Sequence, residues 1–227
     1  MMNKIIIFGF PHCGTSIFKS VLGHSKEVQE IYHEVKEISN SIVSKKHKYT
    51  ICKWPFVIPF KHERYKDYAK IMIIRNPVYV FSSLNRRFDY KIPENHQMHK
   101  FLEAMYVFDR IISGENDTYK IVYKDLFDND YASIKNILTK LGIKHDDTIF
   151  QQSLFSNKIV LQGKNYLEYK KNKDNVDPKN HAEYRTFQIN QEFTNFNKKA
   201  HIELTKNQIQ KIKESEIIQK YFQTDMI

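Results

Sequence analysis

Apolar positions along the chain follow two periods. Lys4 to Gly9 (KIIIFG) is an unbroken, β-branched run stopped by Gly9 and Pro11, the pattern of a strand buried on both faces. Tyr49 to Trp54 and Lys70 to Ile74 repeat it, and Tyr119 to Tyr123 (YKIVY) adds a further strand. Val28 to Ile31 is a shorter strand-like stretch. Between the strands the spacing becomes helical, first at Ile17, Phe18, Val21 and Leu22 within Thr15 to Leu22, a segment that Gly23 ends. Arg75-Asn76-Pro77 leads into a helix over Val78 to Arg87, with Pro77 suited to the first turn. A longer amphipathic helix spans roughly His96 to Ser113 and sets Phe101, Met105, Phe108 and Ile112 on one face. Asn129 to Leu141 and Thr205 to Phe222 read as two more, the latter with Ile209, Ile212, Ile217 and Phe222 near one stripe. Strands alternating with helices predict an α/β fold of three layers, α/β/α, around a central parallel sheet.

Length changes this picture little: 227 residues, 41% apolar and 27% charged, suffice for one well-filled core, and residues 1–227 read as a single domain without an internal repeat or linker. Over 156–200 the periodicity fades into Asn- and Lys-rich sequence, expected to form loops over the sheet edge. Two cysteines, Cys13 and Cys52, cannot build a disulfide framework, and no Cys/His spacing resembles a zinc site, so a cytoplasmic, reducing setting is expected. The apolar run Ile5 to Phe8 is too short for a signal-peptide core or a membrane span. Charge adds more. With 36 Lys+Arg against 26 Asp+Glu the net charge is +10, which attracts anions. The basic residues are scattered, with short runs such as Lys45-Lys46 and Lys170-Lys171, so a bound anionic ligand is favoured over a dedicated nucleic-acid arm.

The loop after the first strand carries candidate chemistry. Gly9-Phe10-Pro11-His12-Cys13-Gly14-Thr15-Ser16 matches a G-x-x-x-x-G phosphate loop, follows a buried strand and opens a helix. Backbone N–H groups at the helix start and the Thr15 and Ser16 hydroxyls would address an anion there. An ATPase loop needs lysine after the second glycine, where this chain has Thr15, and the strand that could carry a magnesium-binding aspartate ends in Arg75. The site is expected to take anions without a metal. A plain strand-to-helix turn is the alternative reading of the loop.

Taken together these segments resemble sulfotransferases that use 3'-phosphoadenosine 5'-phosphosulfate (PAPS), particularly their bacterial and Golgi-like branch. Pro11-His12-Cys13-Gly14-Thr15-Ser16 is similar to the family's 5'-phosphosulfate loop, with His12 in place of the usual Lys or Arg. Ile73-Ile74-Arg75-Asn76-Pro77 with Ser83 resembles the motif that clamps the 3'-phosphate. Tyr123-Lys124-Asp125-Leu126 resembles a segment whose Tyr approaches the adenine side, and Lys53-Trp54-Pro55 one whose Lys reaches the sulfuryl oxygens. Leu204-Thr205-Lys206-Asn207-Gln208-Ile209 is similar to the opening of the last helix in bacterial members. The resemblance departs at Ile17, where cytosolic members carry an adenine-stacking Trp, and at the C-terminal R-K-G, for which Gln162-Gly163-Lys164 or Lys198 and Lys199 stand in weakly.

The resemblance implies a P-loop nucleoside triphosphate hydrolase-like fold and transfer of a sulfuryl group from PAPS to an acceptor hydroxyl or amine on a carbohydrate or small molecule. It implies a nucleotide site of Pro11, His12, Cys13, Gly14, Thr15, Ser16, Arg75, Ser83, Tyr123 and Lys164, binding PAPS or its product 3'-phosphoadenosine 5'-phosphate (PAP) without a metal. Catalytic candidates are His12 and Lys53 as cations and Glu34 or His33 as base, with His96 and His99 as alternative bases and Lys19 and Lys164 as further cations. His33 and Glu34 read equally as a solvated helix start. Residues 156–200 are a candidate acceptor-site region. Against this stand a nucleotide or nucleoside kinase on the same sheet, a basic polyanion-binding module without catalysis, and a relative of the family that has lost activity.

Overall fold

A computed structural model describes residues 3–39, 43, 45–57, 60, 63–88, 96–151, 154, 181–199 and 201–225. Five strands, β1 (Lys4–Gly9), β2 (Val28–Glu34), β3 (Tyr49–Pro55), β4 (Tyr68–Ile74) and β5 (Thr118–Val122), pair in parallel in the order β2-β3-β1-β4-β5. The apolar run of β1 earns its central place: Ile5 to Phe8 are all buried, and the strand needs cover on both faces. Ile5 and Ile7 meet Ile17, Phe18, Val21 and Leu22 of α1 (Thr15–Leu22) on one face. Phe8 belongs to the opposite face, with α2 (Pro77–Phe88) and α3 (His96–Arg110). This is the predicted three-layer α/β/α arrangement.

Because β3 and β4 flank β1, the chain leaves β1 toward one edge and later returns to the other side. The carboxyl ends of β1, β3 and β4 therefore open on one crevice, where open parallel sheets bind ligands. Gly9 lets β1 end this close to its neighbour. Its φ is 145°, and a Cβ there would lie 2.2 Å from the Ile73 carbonyl oxygen.

Several boundaries differ from the sequence reading, each for a local reason. The helix expected through Ser113 stops at Arg110, because Gly114 (φ 95°) turns the chain; Ile112 is then 69% exposed and Ile111 takes the buried position. The helix expected from Asn129 is α4 (Ala132–Leu141), since Asn129, Asp130 and Tyr131 all have positive φ. Thr205 to Phe222 divides at Glu214–Ser215 into α6 (Lys206–Lys213) and α7 (Glu216–Phe222), with Thr205 and Gln208 forming a capping box. Within 156–200, expected to be loops, the described part includes a helix, α5 (His181–Ile189). His33 and Glu34 end β2 and start no helix.

Lys19, a reserve candidate for the catalytic cation, points away from the crevice. Its side chain is fully buried in α1, forms an ion pair with Glu30 of β2 at 3.3 Å, and donates a hydrogen bond to the Ile31 carbonyl. The pair couples the first helix to an edge strand. Removing one partner leaves a buried charge, which costs roughly 3 to 5 kcal/mol, whereas removing both is far milder. Urea unfolding is expected to show that loss for Lys19→Met and to show much of it recovered in Lys19→Met/Glu30→Gln.

Candidate functional site

The crevice holds a cavity of about 850 Å³ lined from the β1–α1 loop, the ends of β2, β3 and β4, and α2, α3 and α5. Its floor is the loop. His12 (φ 67°) and Gly14 (φ 96°) take left-handed conformations that turn the chain sharply between strand and helix. The Cys13 N–H donates to the Phe10 carbonyl at 3.3 Å and closes the turn, while Thr15 and Ser16 start α1 at the cavity wall. Helix geometry leaves the first N–H groups of α1 without carbonyls of their own helix, so they address whatever fills the floor. Gly14 is required for a further reason: a Cβ there would lie 2.4 Å from the ring of Tyr123.

Arg75 directly follows β4 and is only 9% exposed. Its guanidinium lies 4.5 Å from the centre of the Tyr123 ring and 5.7 Å from that of Tyr79. Its Nε–H donates to Asn197 Oδ1 at 2.7 Å and Nη1 to the His12 carbonyl at 3.3 Å. Both partners are neutral, and burial pushes the Arg75 pKa down. A buried cation on neutral partners at a cavity wall is a standing invitation to an anion. The same burial raises the Tyr123 phenol, whose O–H donates to the Thr194 carbonyl at 3.5 Å.

His12 and Ser83, 71 residues apart in sequence, meet here: His12 Nδ1 and Ser83 Oγ share a hydrogen bond of 2.6 Å. The His12 ring also stacks on Tyr184 of α5 at 6.0 Å and meets Phe88 edge-on. Across the floor, Lys53 is 5% exposed and pairs with Glu34 at 2.9 Å. The two residues are cross-strand partners at the carboxyl ends of β2 and β3. An irregularity in register between Glu30 and Glu34 re-aims the end of β2 toward the cavity. Phe56, just past β3, has φ 72° and donates its N–H to the Gly9 carbonyl at 2.5 Å, so the β3 end is tied back to the loop. Lys100 of α3 lies 5.2 Å from the centre of its ring.

Of the residues named from sequence, Pro11, His12, Gly14, Thr15, Ser16, Glu34, Lys53, Arg75, Ser83 and Tyr123 line this one cavity. Cys13 lies beneath the loop, fully buried. His96 reaches the rim, and His99 is exposed outside the lining. Lys164 and the side chains of His33, Lys198 and Lys199 lie outside the described residues. Sequence reasoning missed Tyr79, Arg87, Tyr184 and Asn197. Tyr79 and Arg87 were within reach, each four residues from Ser83 on one helical face; Tyr184 and Asn197 carry no local signal. Among the described residues no group of three or more His, Cys, Asp or Glu could hold a metal ion, and no helix is long and apolar enough to cross a membrane.

No family model matches the chain, and no curated protein matches it in sequence. Among solved structures it is similar to mouse sulfotransferase SULT7A1 complexed with PAP, with a TM-score of 0.51 and 14% identity over 99% of this chain and 85% of that one. At that identity the likeness is one of fold alone: a parallel sheet flanked by helices, shared with that structure.

The loop thiol gives a first check on this geometry. Burial pushes both Cys13 and Cys52 from 9.0 up to about 12, and only the thiolate reacts readily. Unfolded thiols lose their protons near pH 9 while the folded ones keep theirs, so these groups make stability fall as pH rises from about 9 toward 12. Ellman's reagent at pH 8 is expected to label both at least about a hundredfold faster in guanidinium than in the native protein.

Proposed function

We propose that the protein is a sulfotransferase that binds PAPS in this cavity and passes its sulfuryl group to an acceptor hydroxyl. The observation that carries the reading is Arg75: a guanidinium buried on neutral partners, beside the His12–Ser83 hydrogen bond and facing a helix start built as an anion cradle. Two anionic groups of one ligand would be held there, one by the α1 N–H groups with Thr15 and Ser16, the other by Arg75 and Ser83. The likeness of fold to a PAP-bound sulfotransferase supports the same reading. No metal is called for, because Arg75 stands where a magnesium-binding carboxylate would be needed.

The donor, when bound, supplies a sulfuryl group whose bond to the 5'-phosphate oxygen breaks as the acceptor oxygen bonds to sulfur. The residues of this chain do the rest. Glu34 accepts the acceptor's proton, the part of a general base. As a carboxylate it holds Lys53 at 2.9 Å. Once protonated it no longer competes for that ammonium, and Lys53 turns its charge to the sulfuryl and leaving oxygens. Proton removal and charge stabilisation are thereby coupled through one ion pair. His12 ties the cradle to Ser83 and donates to the same oxygens.

Two measurements follow. In thermal or denaturant unfolding without magnesium, PAP at about a hundred times its dissociation constant is expected to add roughly 2.7 kcal/mol, well beyond ADP at the same concentration. Arg75→Ala is expected to erase the preference for PAP over adenosine 5'-phosphate, a loss of about 1.5 to 3 kcal/mol. Equal effects of PAP and ADP, or a requirement for magnesium, would point instead to a kinase.

The catalytic assignments separate from binding in single-turnover assays. Glu34→Gln is expected to slow transfer by about a hundredfold or more, and Lys53→Ala by about a hundredfold to a thousandfold. PAP affinity should stay within about threefold of wild type in Glu34→Gln, since that residue addresses the acceptor.

A further inference from the structure

Asn197 does not line the cavity, yet its side chain sets how Arg75 meets it. A guanidinium has five N–H donors in one plane, one on Nε and two on each Nη. In Arg75 the Nε–H goes to Asn197 Oδ1 at 2.7 Å and an Nη1–H to the His12 carbonyl at 3.3 Å. The rings of Tyr123 and Tyr79 flank the same group, with centres 4.5 Å and 5.7 Å from its central carbon. The two bonds fix rotation within the plane and the rings fix the plane itself.

Asn197 is held in place by its own segment. Its N–H donates to Asn195 Oδ1 at 3.0 Å, a local turn of the kind that asparagine sets up, and the chain continues as a short turn of helix, Phe196–Lys199. Just before it, Phe193 is buried in the core, and the Tyr123 hydroxyl donates to the Thr194 carbonyl at 3.5 Å. The tyrosine that packs on the guanidinium therefore also anchors the segment that delivers Asn197.

The charge of residue 197 matters more than its size. An amide oxygen accepts the Nε–H without bringing a charge, whereas an aspartate of the same shape would neutralise the guanidinium. Among the described residues no carboxylate pairs with Arg75, and the one carboxylate lining the cavity, Glu34, holds Lys53 at 2.9 Å. For stability alone an acid at 197 is the better residue, because a counter-charge relieves a buried cation. The amide instead leaves that charge uncompensated at the cavity wall.

We propose that Asn197 is a positioning residue for the second anionic group of the nucleotide: it fixes Arg75 through the Nε–H and, being neutral, reserves the full charge for a phosphate on the ribose. The inference rests on the sulfuryl-transfer reading and deepens it. The choice of 3'-phosphorylated over unphosphorylated nucleotide then depends on a side chain that acts only through Arg75.

The test combines isothermal titration of PAP and of adenosine 5'-phosphate with thermal unfolding of the ligand-free protein. Asn197→Asp is expected to move the two readouts in opposite senses: the preference for PAP falls at least about tenfold, while the midpoint of unfolding rises by about 2 °C or more. Asn197→Ala, which leaves the Nε–H without its acceptor, is expected to lower PAP affinity about threefold to tenfold and to leave that for adenosine 5'-phosphate within about twofold. In an Arg75→Ala background the same Asn197→Ala change is expected to alter PAP affinity by less than about twofold. A merely structural residue would lower the midpoint and both affinities together. Three results overturn the proposal: Asn197→Asp keeps the wild-type preference; Asn197→Asp melts below wild type or does not fold; or the double variant loses further PAP affinity, which would place Asn197 on the nucleotide itself. In each of these, wild-type protein still prefers PAP. Wild-type protein that binds no PAP, or binds PAP and adenosine 5'-phosphate alike, is a distinct result that defeats the sulfuryl-transfer reading and this proposal with it.

Discussion

A guanidinium held in a nearly dry place organises this molecule. Arg75 sits at the end of the strand next to the central one, between two tyrosine rings, with an amide oxygen and a backbone carbonyl as partners. Keeping a charge there is costly unless its surroundings are fixed, and each neighbour is fixed by something else. Tyr123 can lie against the loop because residue 14 has no side chain. The His12 carbonyl points at Arg75 because the loop turns through a left-handed residue. Asn197 reaches it because the chain returns over the sheet after the fifth helix. Cradle, sheet edge and covering segment all converge on one cation.

This convergence explains why the architecture could be read from sequence. Buried strands in a parallel sheet are continuous apolar runs, and Ile5 to Phe8 or Ile71 to Ile74 cannot easily be anything else. Turns, by contrast, obey local chemistry that periodicity does not see. Ile112 has the right spacing for a buried stripe, yet a glycine two residues later ends the helix and leaves it in water. Asn129 to Tyr131 run into a helical pattern, yet they are three consecutive left-handed residues, a conformation that Asn and Asp tolerate.

The site divides along the same line. Residues tied to a strand end or a helix start, such as Lys53, Arg75, Thr15 and Ser83, were legible because their places follow from the element that carries them. Tyr184 and Asn197 were not, since nothing within ten residues of either predicts that it will meet His12 or Arg75. Their positions depend on tertiary packing of a polar stretch with little pattern. The Glu34–Lys53 pair falls between these cases: the residues were named separately, and only the register of β2 against β3 makes them partners.

The row on α2 makes that helix a ruler. Tyr79, Ser83 and Arg87 share a face because four residues, slightly more than one turn, separate each from the next, and each added residue advances a helix by about 100°. Inserting or deleting a single residue between Ser83 and Arg87 would swing the last guanidinium out of the cavity while leaving the hydrogen bond to His12 intact. The count of residues from Arg75 to Arg87 is thus a fixed gauge of the distance between the two ends of the cavity.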